Sequence, residues 1–144
     1  KEVVGSHSFL YSVALLMAVL SYRPHKLKIH SEEKTLSHGM FTMNIANGCY
    51  SGGGLKQNPH ALPYDGLLDV MIVRTPRFTD IVGALVYLFR GKLLEHPVIE
   101  SFRTRELLIQ CDKNALMEAD GIIVHGFSPF RVKILPNAIH MIVP

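Results

Sequence analysis

The stretch MEADGIIVHG, residues 117–126, sets an Asp-Gly pair between two short apolar runs. A two-residue hairpin loop of the favoured hand needs positive φ at both central residues, which makes Asp-Gly one of the strongest local hairpin signals. Further short runs lie on either side: KLKIH (26–30), MFTMNIAN (40–47), LLDVMIVR (67–74), RELLIQC (105–111), FRVKIL (130–135) and AIHMIVP (138–144). Each reads as a strand, as do ALMEAD and IIVHG around the pair itself, while SEEKTLSHG (31–39) reads as a polar connection. Two helices are predicted. One is capped by Ser6 or Ser8 and runs to about Tyr22, where Arg23-Pro24 stops it. The other spans Thr79 to Arg90, and its apolar residues Ile81, Val82, Leu85, Val86, Leu88 and Phe89 suit a covered core helix. Strands at this spacing predict an α+β, β-dominated fold: an antiparallel, sandwich-like domain with the two helices outside.

The chain has 144 residues, enough for one domain that buries roughly 68–70% of its unfolded surface. With 48% hydrophobic residues it can build its core without disulfides or metal. Cys49 and Cys111 form no CxxC, and none of the eight histidines stands in H-x-x-x-H spacing, so zinc chemistry is excluded as a reading. The net charge is +3, with Arg74, Arg77, Arg90, Lys92, Arg103 and Arg105 around one central segment. A solvated surface is the favoured reading of that cluster. Without interleaved aromatics it does not predict a nucleic-acid partner. The apolar stretch from Phe9 to Leu20 falls short of the ~20 residues a membrane-spanning helix needs. A start at Lys1 with no methionine and no signal pattern predicts a piece of a longer protein, and two cysteines without a disulfide framework predict a reducing, cytoplasmic setting, at most peripheral to a membrane.

Three places could carry chemistry. Gly52, Gly53 and Gly54 follow a predicted strand, but Gly54-Leu55 stands where a phosphate loop requires Lys and Ser/Thr. The loop is read as a sharp bend or a site of close approach, the bend being favoured. Asp65 and Asp69 lie four residues apart in PYDGLLDV. Mg²⁺ binds through one or two carboxylates, carbonyls and waters, so Asp65 on its glycine turn is chemically adequate. The pattern alone equally allows a turn aspartate and a solvent-facing strand aspartate. Asp120 on Gly121 either turns the chain or meets a substrate, and His125 is near enough in sequence to share its site. No Ser stands in a G-x-S-x-G elbow.

The order of the motifs carries more than any one of them. N-x-A-N-G-x-Y-S-G-G-G starts at Asn44, and P-x-A-x-x-x-D-G-L-L-D-V-x-I-V starts at Pro59. E-A-D-G follows at Glu118, and P-N-A-I-x-x-I-V-P closes the chain. This series resembles the C-terminal domain of the diacylglycerol kinase and sphingosine kinase family, including its bacterial lipid kinases, across most of residues 1–144. The resemblance implies a two-domain enzyme of lipid metabolism and phospholipid biosynthesis, with a fold related to that of NAD kinase. Its N-terminal ATP-binding domain would lie outside this chain, where the family's G-D-G-T type motif appears nowhere. ATP would be co-substrate, Mg²⁺ the cofactor, and diacylglycerol or a similar hydroxyl lipid the acceptor. Carried over, the family's metal position falls on the Asp65 carboxylate and the backbone oxygens of Leu62 and Leu67. Gly52, Gly53, Gly54 and Gly121 would border the substrate cleft.

The family's Asp-Gly-Glu motif falls on Asp120, Gly121 and Ile122, and implies Asp120 as general base toward the lipid hydroxyl. Ile122 departs from the motif, since it can neither accept a proton nor touch a metal. Glu118, on the same side of a strand as Asp120, is the acid that could replace the missing one. The departure keeps open a second reading, a catalytically inactive lipid-binding or regulatory module. A nicotinamide dinucleotide kinase ranks third, for want of that group's dinucleotide-binding signatures. The acceptor lipid and the oligomeric state stay open.

Overall fold

The computed structural model describes residues 24–51, 56–111, 116–124 and 128–140, and in the helix the backbone but not the side chains of residues 78, 85 and 89. The elements run β1 (His25–Ser31), β2 (Thr35–Ala46), β3 (Leu68–Arg74), α1 (Phe78–Phe89) and a short 3₁₀ turn (Leu93–Glu95). They continue with β4 (Ile99–Thr104), β5 (Glu106–Cys111), β6 (Met117–Ala119), β7 (Ile122–Val124) and β8 (Phe130–Lys133). Six strands form one antiparallel sheet in the order β4-β3-β2-β1-β5-β8, and β6 and β7 form a separate two-stranded ribbon. The strand-dominated antiparallel fold is as expected from the sequence. The predicted helix ending near Tyr22 lies outside the described residues.

Directly opposed residues in antiparallel strands share a face. The register therefore puts Ile29, Leu68, Val70, Ile72, Phe102, Leu107 and Ile109 on one side, where they pack into a single buried cluster with Met40. Leu27, Leu36, Met43, Ile45, Phe130 and Val132 extend it. Burial of each large side chain in this cluster contributes about 1.5–3 kcal/mol relative to exposure.

Three differences from the sequence reading have local causes. The polar connection is only the turn at Ser31–Lys34, closed by the Ser31 N–H on the Lys34 carbonyl at 2.9 Å. β2 starts straight after it at Thr35, and a register shift between Met40 and Thr42 breaks the alternation that would have shown its full length. β4 was not expected. Its core-side residues are Glu100, Phe102 and Thr104, so one apolar residue carries that face. Residues 138–140, expected in a closing strand, form none, and 141–144 lie outside the described residues.

α1 opens with the Asp80 carboxylate accepting the Arg77 N–H at 2.7 Å, an acid placed where a helix N-terminus favours negative charge. Ile81, Ala84 and Leu88 face Val73, Leu93 and Val98 around a small apolar gap. Val82 and Val86 lie on the outer side and are exposed, so the helix is amphipathic rather than covered all round. Among the described residues no helix is long and apolar enough to cross a membrane.

Candidate functional site

A cavity of about 860 Å³ lies on the core side of the large sheet. Leu27, Met40, Met43, Ile109, Phe130 and Val132 line its apolar part. The β6–β7 ribbon bounds it with Met117 to Gly121, and polar groups of Asn47, Ser51 and Asp120 enter the lining. The Ser51 hydroxyl is buried and has no hydrogen-bond partner among the described residues.

Asp120 occupies the turn of that ribbon with φ 48°, and Gly121 follows with φ 85°. Both central residues thus take the left-handed conformation that the tight loop demands, at low cost for Gly and tolerably for Asp. Asp120 is exposed and faces the cavity lining. Glu118 lines the same cavity, and its Oε1 accepts the Gly121 N–H at 3.1 Å and closes the turn. Ile122 is 71% exposed. His125 and Gly52, Gly53 and Gly54 lie outside the described residues.

The flanks of the glycine loop are nevertheless defined. Asn58 Nδ2 donates to Asn44 Oδ1 at 2.7 Å, and Asn44 Nδ2 donates to Gln57 Oε1 at 2.9 Å. Asn58 is buried, and its backbone N–H reaches the Cys49 carbonyl at 3.4 Å. The two chain ends around the loop are therefore tied side chain to side chain. Sequence reasoning assigned no role to Asn44 or Asn58, although Asn44 opens the quoted N-x-A-N-G motif.

A third group gathers at the start of β3. Asp65 Oδ1 accepts the Leu67 N–H at 3.0 Å, and the Asp65 N–H lies 3.4 Å from the Leu62 carbonyl, so Leu62, Asp65 and Leu67 form one compact turn. Asp69 faces Arg103 directly across β3 and β4. The Arg103 guanidinium bridges the two acids, with Nε 3.2 Å from Asp69 Oδ1 and Nη2 hydrogen-bonded to Asp65 Oδ2. Partial burial works against the charge on Arg103, but the pull of Asp69 and Asp65 outweighs it and raises its pKa above the ordinary value. Asp69 is only 7% exposed, which overturns the solvent-facing alternative. Of the basic cluster, Arg74, Arg77, Arg90, Lys92 and Arg105 are exposed, in keeping with a solvated surface, while Arg103 is partly buried against its two acids and Arg74 also pairs with Glu100 at 2.9 Å.

The donor set at this turn fits a hard, oxygen-seeking cation modestly. Two carboxylates against one guanidinium leave one net negative charge, and carbonyl oxygens keep a second lone pair after one hydrogen bond. Among the described residues no three His, Cys, Asp or Glu side chains converge. A divalent ion here would be held by Asp65 and the Leu62 and Leu67 carbonyls, completed by water.

Sheet, ribbon and corner together define a strand-built, sandwich-like domain with an apolar cavity and carboxylates at two separate turns. A family profile described as the YegS C-terminal NAD kinase beta sandwich-like domain matches residues 3–143, and the chain belongs to that family. It is similar to the protein named "Probable lipid kinase YegS-like" of Pseudomonas putida (32% identity, all of this chain, 46% of the relative). It is also similar to the "Probable lipid kinase YegS" of Escherichia coli O9:H4 (29% identity, all of this chain, 46% of the relative). The chain thus spans a little under half the length of these curated relatives. A solved diacylglycerol kinase of Bacillus anthracis str. Sterne shares the fold with TM-score 0.67, at 18% identity over 86% of this chain and 42% of that one.

Proposed function

We propose that the chain is the lipid-binding half of an ATP-dependent lipid kinase that phosphorylates the hydroxyl of diacylglycerol or a similar lipid. One observation carries the reading: a cavity of about 860 Å³ lined largely by apolar residues, with Asp120 among the residues of its lining. Its volume lies in the usual 300–1,000 Å³ range of ligand sites, and transfer of an acyl chain into such a lining contributes roughly 0.8 kcal/mol per methylene. Membership of the family and the names of the relatives support the same reading.

In this mechanism the acyl chain lies along Met40, Met43 and Phe130, and the acceptor hydroxyl sits at the ribbon. Asp120 takes the hydroxyl proton as the lipid oxygen bonds to the γ-phosphorus. The bond from that phosphorus to the β-phosphate oxygen breaks, and ADP leaves. Ser51, in the cavity lining and without a hydroxyl partner among the described residues, is the candidate to meet the polar head of the lipid. Gly121 allows close approach of the cleft backbone beside Asp120. ATP would be held by a further domain of the full-length protein, and Mg²⁺ bound with it would compensate the charge of its phosphates. At the Asp65 turn, Asp65, Leu62 and Leu67 are the residues that would hold a second ion. The protein acts at the cytoplasmic membrane surface, where ATP and its acceptor meet.

Exposed Ile122 favours a second reading, a lipid-binding module without chemistry. The test follows labelled phosphate from ATP to diacylglycerol, sphingosine and related lipids, using full-length wild type beside Asp120→Asn. Transfer that disappears with Asp120→Asn supports the kinase. Retained lipid binding without transfer to any acceptor supports the module.

A further inference from the structure

The Asp65–Asp69 corner is already neutralised in part by the chain itself. Asp69 is buried inside β3, and burial of an unpaired carboxylate carries a heavy desolvation penalty. Its cross-strand neighbour Arg103 meets it through Nε, while Nη2 reaches over to Asp65. Only a planar guanidinium presents several donors in a fixed fork, so one residue can hold both acids at once. The other Asp65 oxygen is occupied by the Leu67 N–H. Both oxygens of the turn carboxylate therefore have partners that belong to the protein, one from the turn and one from β4.

We propose that Arg103 is the resident cation of this corner, a positioning residue that sets the Asp65 turn against β3 and β4 before any metal arrives. A divalent ion is then an addition to a formed turn and not a condition of it. The consequence reaches the cavity, because the turn runs through Leu67 into Leu68, which lines the cavity wall. The inference rests on the proposed reading of this turn only in naming Mg²⁺ as the ion that competes with Arg103.

The test is thermal unfolding of the full-length protein, without nucleotide, in EDTA and in millimolar MgCl₂. An ion that binds only the folded form raises Tm in proportion to its occupancy. Wild type is expected to shift by less than about 1 °C between the two conditions. Arg103→Gln leaves two carboxylates uncompensated, so it should lose several degrees in EDTA and recover at least half of them in Mg²⁺. Arg103→Lys keeps the charge without the fork, and should fall between the two in both respects; it carries the comparison if Arg103→Gln does not fold. A wild type as sensitive to EDTA as Arg103→Gln would overturn the proposal. So would glutamine and lysine variants whose Tm Mg²⁺ leaves unmoved. Lipid phosphorylation is scored separately, so its failure with the Tm pattern intact would count against the kinase reading alone.

Discussion

The six-stranded sheet and the β6–β7 ribbon are built on opposite principles. In the sheet, Ile29, Ile72 and Leu107 are fully buried, and β1, β2, β3 and β5 each have a partner on both sides. The ribbon has three residues per strand, pairs only with itself, and leaves Ile122 and Ile123 exposed. Two-stranded ribbons of this size are marginal in water on their own. Stability and the proposed chemistry are therefore lodged in different places. The sheet holds the Asp69–Arg103 corner rigid, and the ribbon carries Asp120 at its tip.

The sharpest way to break this comparison is at the tip. Asp120→Asn should lower lipid phosphorylation by about 10²–10⁴-fold, the usual contribution of a general base. Unfolding free energy should stay within about 0.5 kcal/mol of wild type, because the side chain is exposed. A large loss of stability would mean that the ribbon is structural after all. The converse change is Leu107→Ala, which opens a void in the centre of the sheet and should cost about 2–5 kcal/mol. Its turnover per folded molecule should be unchanged, as measured by denaturant titration beside the kinase assay.

α1 gives a smaller effect from a third region. A Cβ on Gly83 would lie 2.9 Å from His96 Nε2. His96 is buried, accepts the Val98 N–H through Nδ1 at 3.3 Å, and sits edge-on to Tyr87 with ring centroids 5.2 Å apart. Overpacking costs about 1–3 kcal/mol, and Ala returns up to about 1 kcal/mol of helix propensity over Gly. Gly83→Ala should therefore lose roughly 0–3 kcal/mol. A net gain would show that the helix slides on the 3₁₀ turn.

What could be read in the sequence divides by the range of the interaction. LLDVMIVR is apolar on both faces, and the Asp120-Gly121 turn is set by its own two residues, so both were legible. β4 was not, because its core-side face offers Phe102 alone among polar residues. Arg103 meets Asp69 across 34 positions, a partnership that only strand pairing creates. The hydrogen bond from the Gly121 N–H to Glu118 was likewise not legible, because the turn creates it. The position of Asp65 on a turn was legible from Asp-Gly, whereas Leu62 and Leu67 as its companions came from the family resemblance.

Ile122→Glu sharpens the choice between kinase and binding module at almost no structural cost. The side chain is exposed, so stability should move by less than about 0.5 kcal/mol. If Asp120 works without the missing acid, lipid phosphorylation should change little. A silent wild type that gains transfer on this substitution would instead identify a module that lost its chemistry at residue 122.

The smallest effect is at the sheet's edge. Glu100 on β4 takes the Arg74 guanidinium at 2.9 Å, with Lys34 Nζ at 3.5 Å and His38 Nε2 at 3.8 Å. Burial by itself would raise the Glu100 pKa, but the hydrogen bond and charge of Arg74, helped by Lys34, outweigh burial and hold it below the ordinary value. A carboxyl depressed in the folded state stabilises that state above its unfolded pKa, near 4.3, and the contribution disappears as pH falls through the folded value. Glu100→Gln should therefore cost no more than about 1 kcal/mol at neutral pH, since Arg74 and Lys34 are largely exposed. The difference from wild type should close as pH drops below about 4. Paired denaturant titrations at pH 7 and pH 3 measure it. A gap as wide at pH 3 as at pH 7 would mean that the charge of Glu100 is not what holds this edge of the sheet.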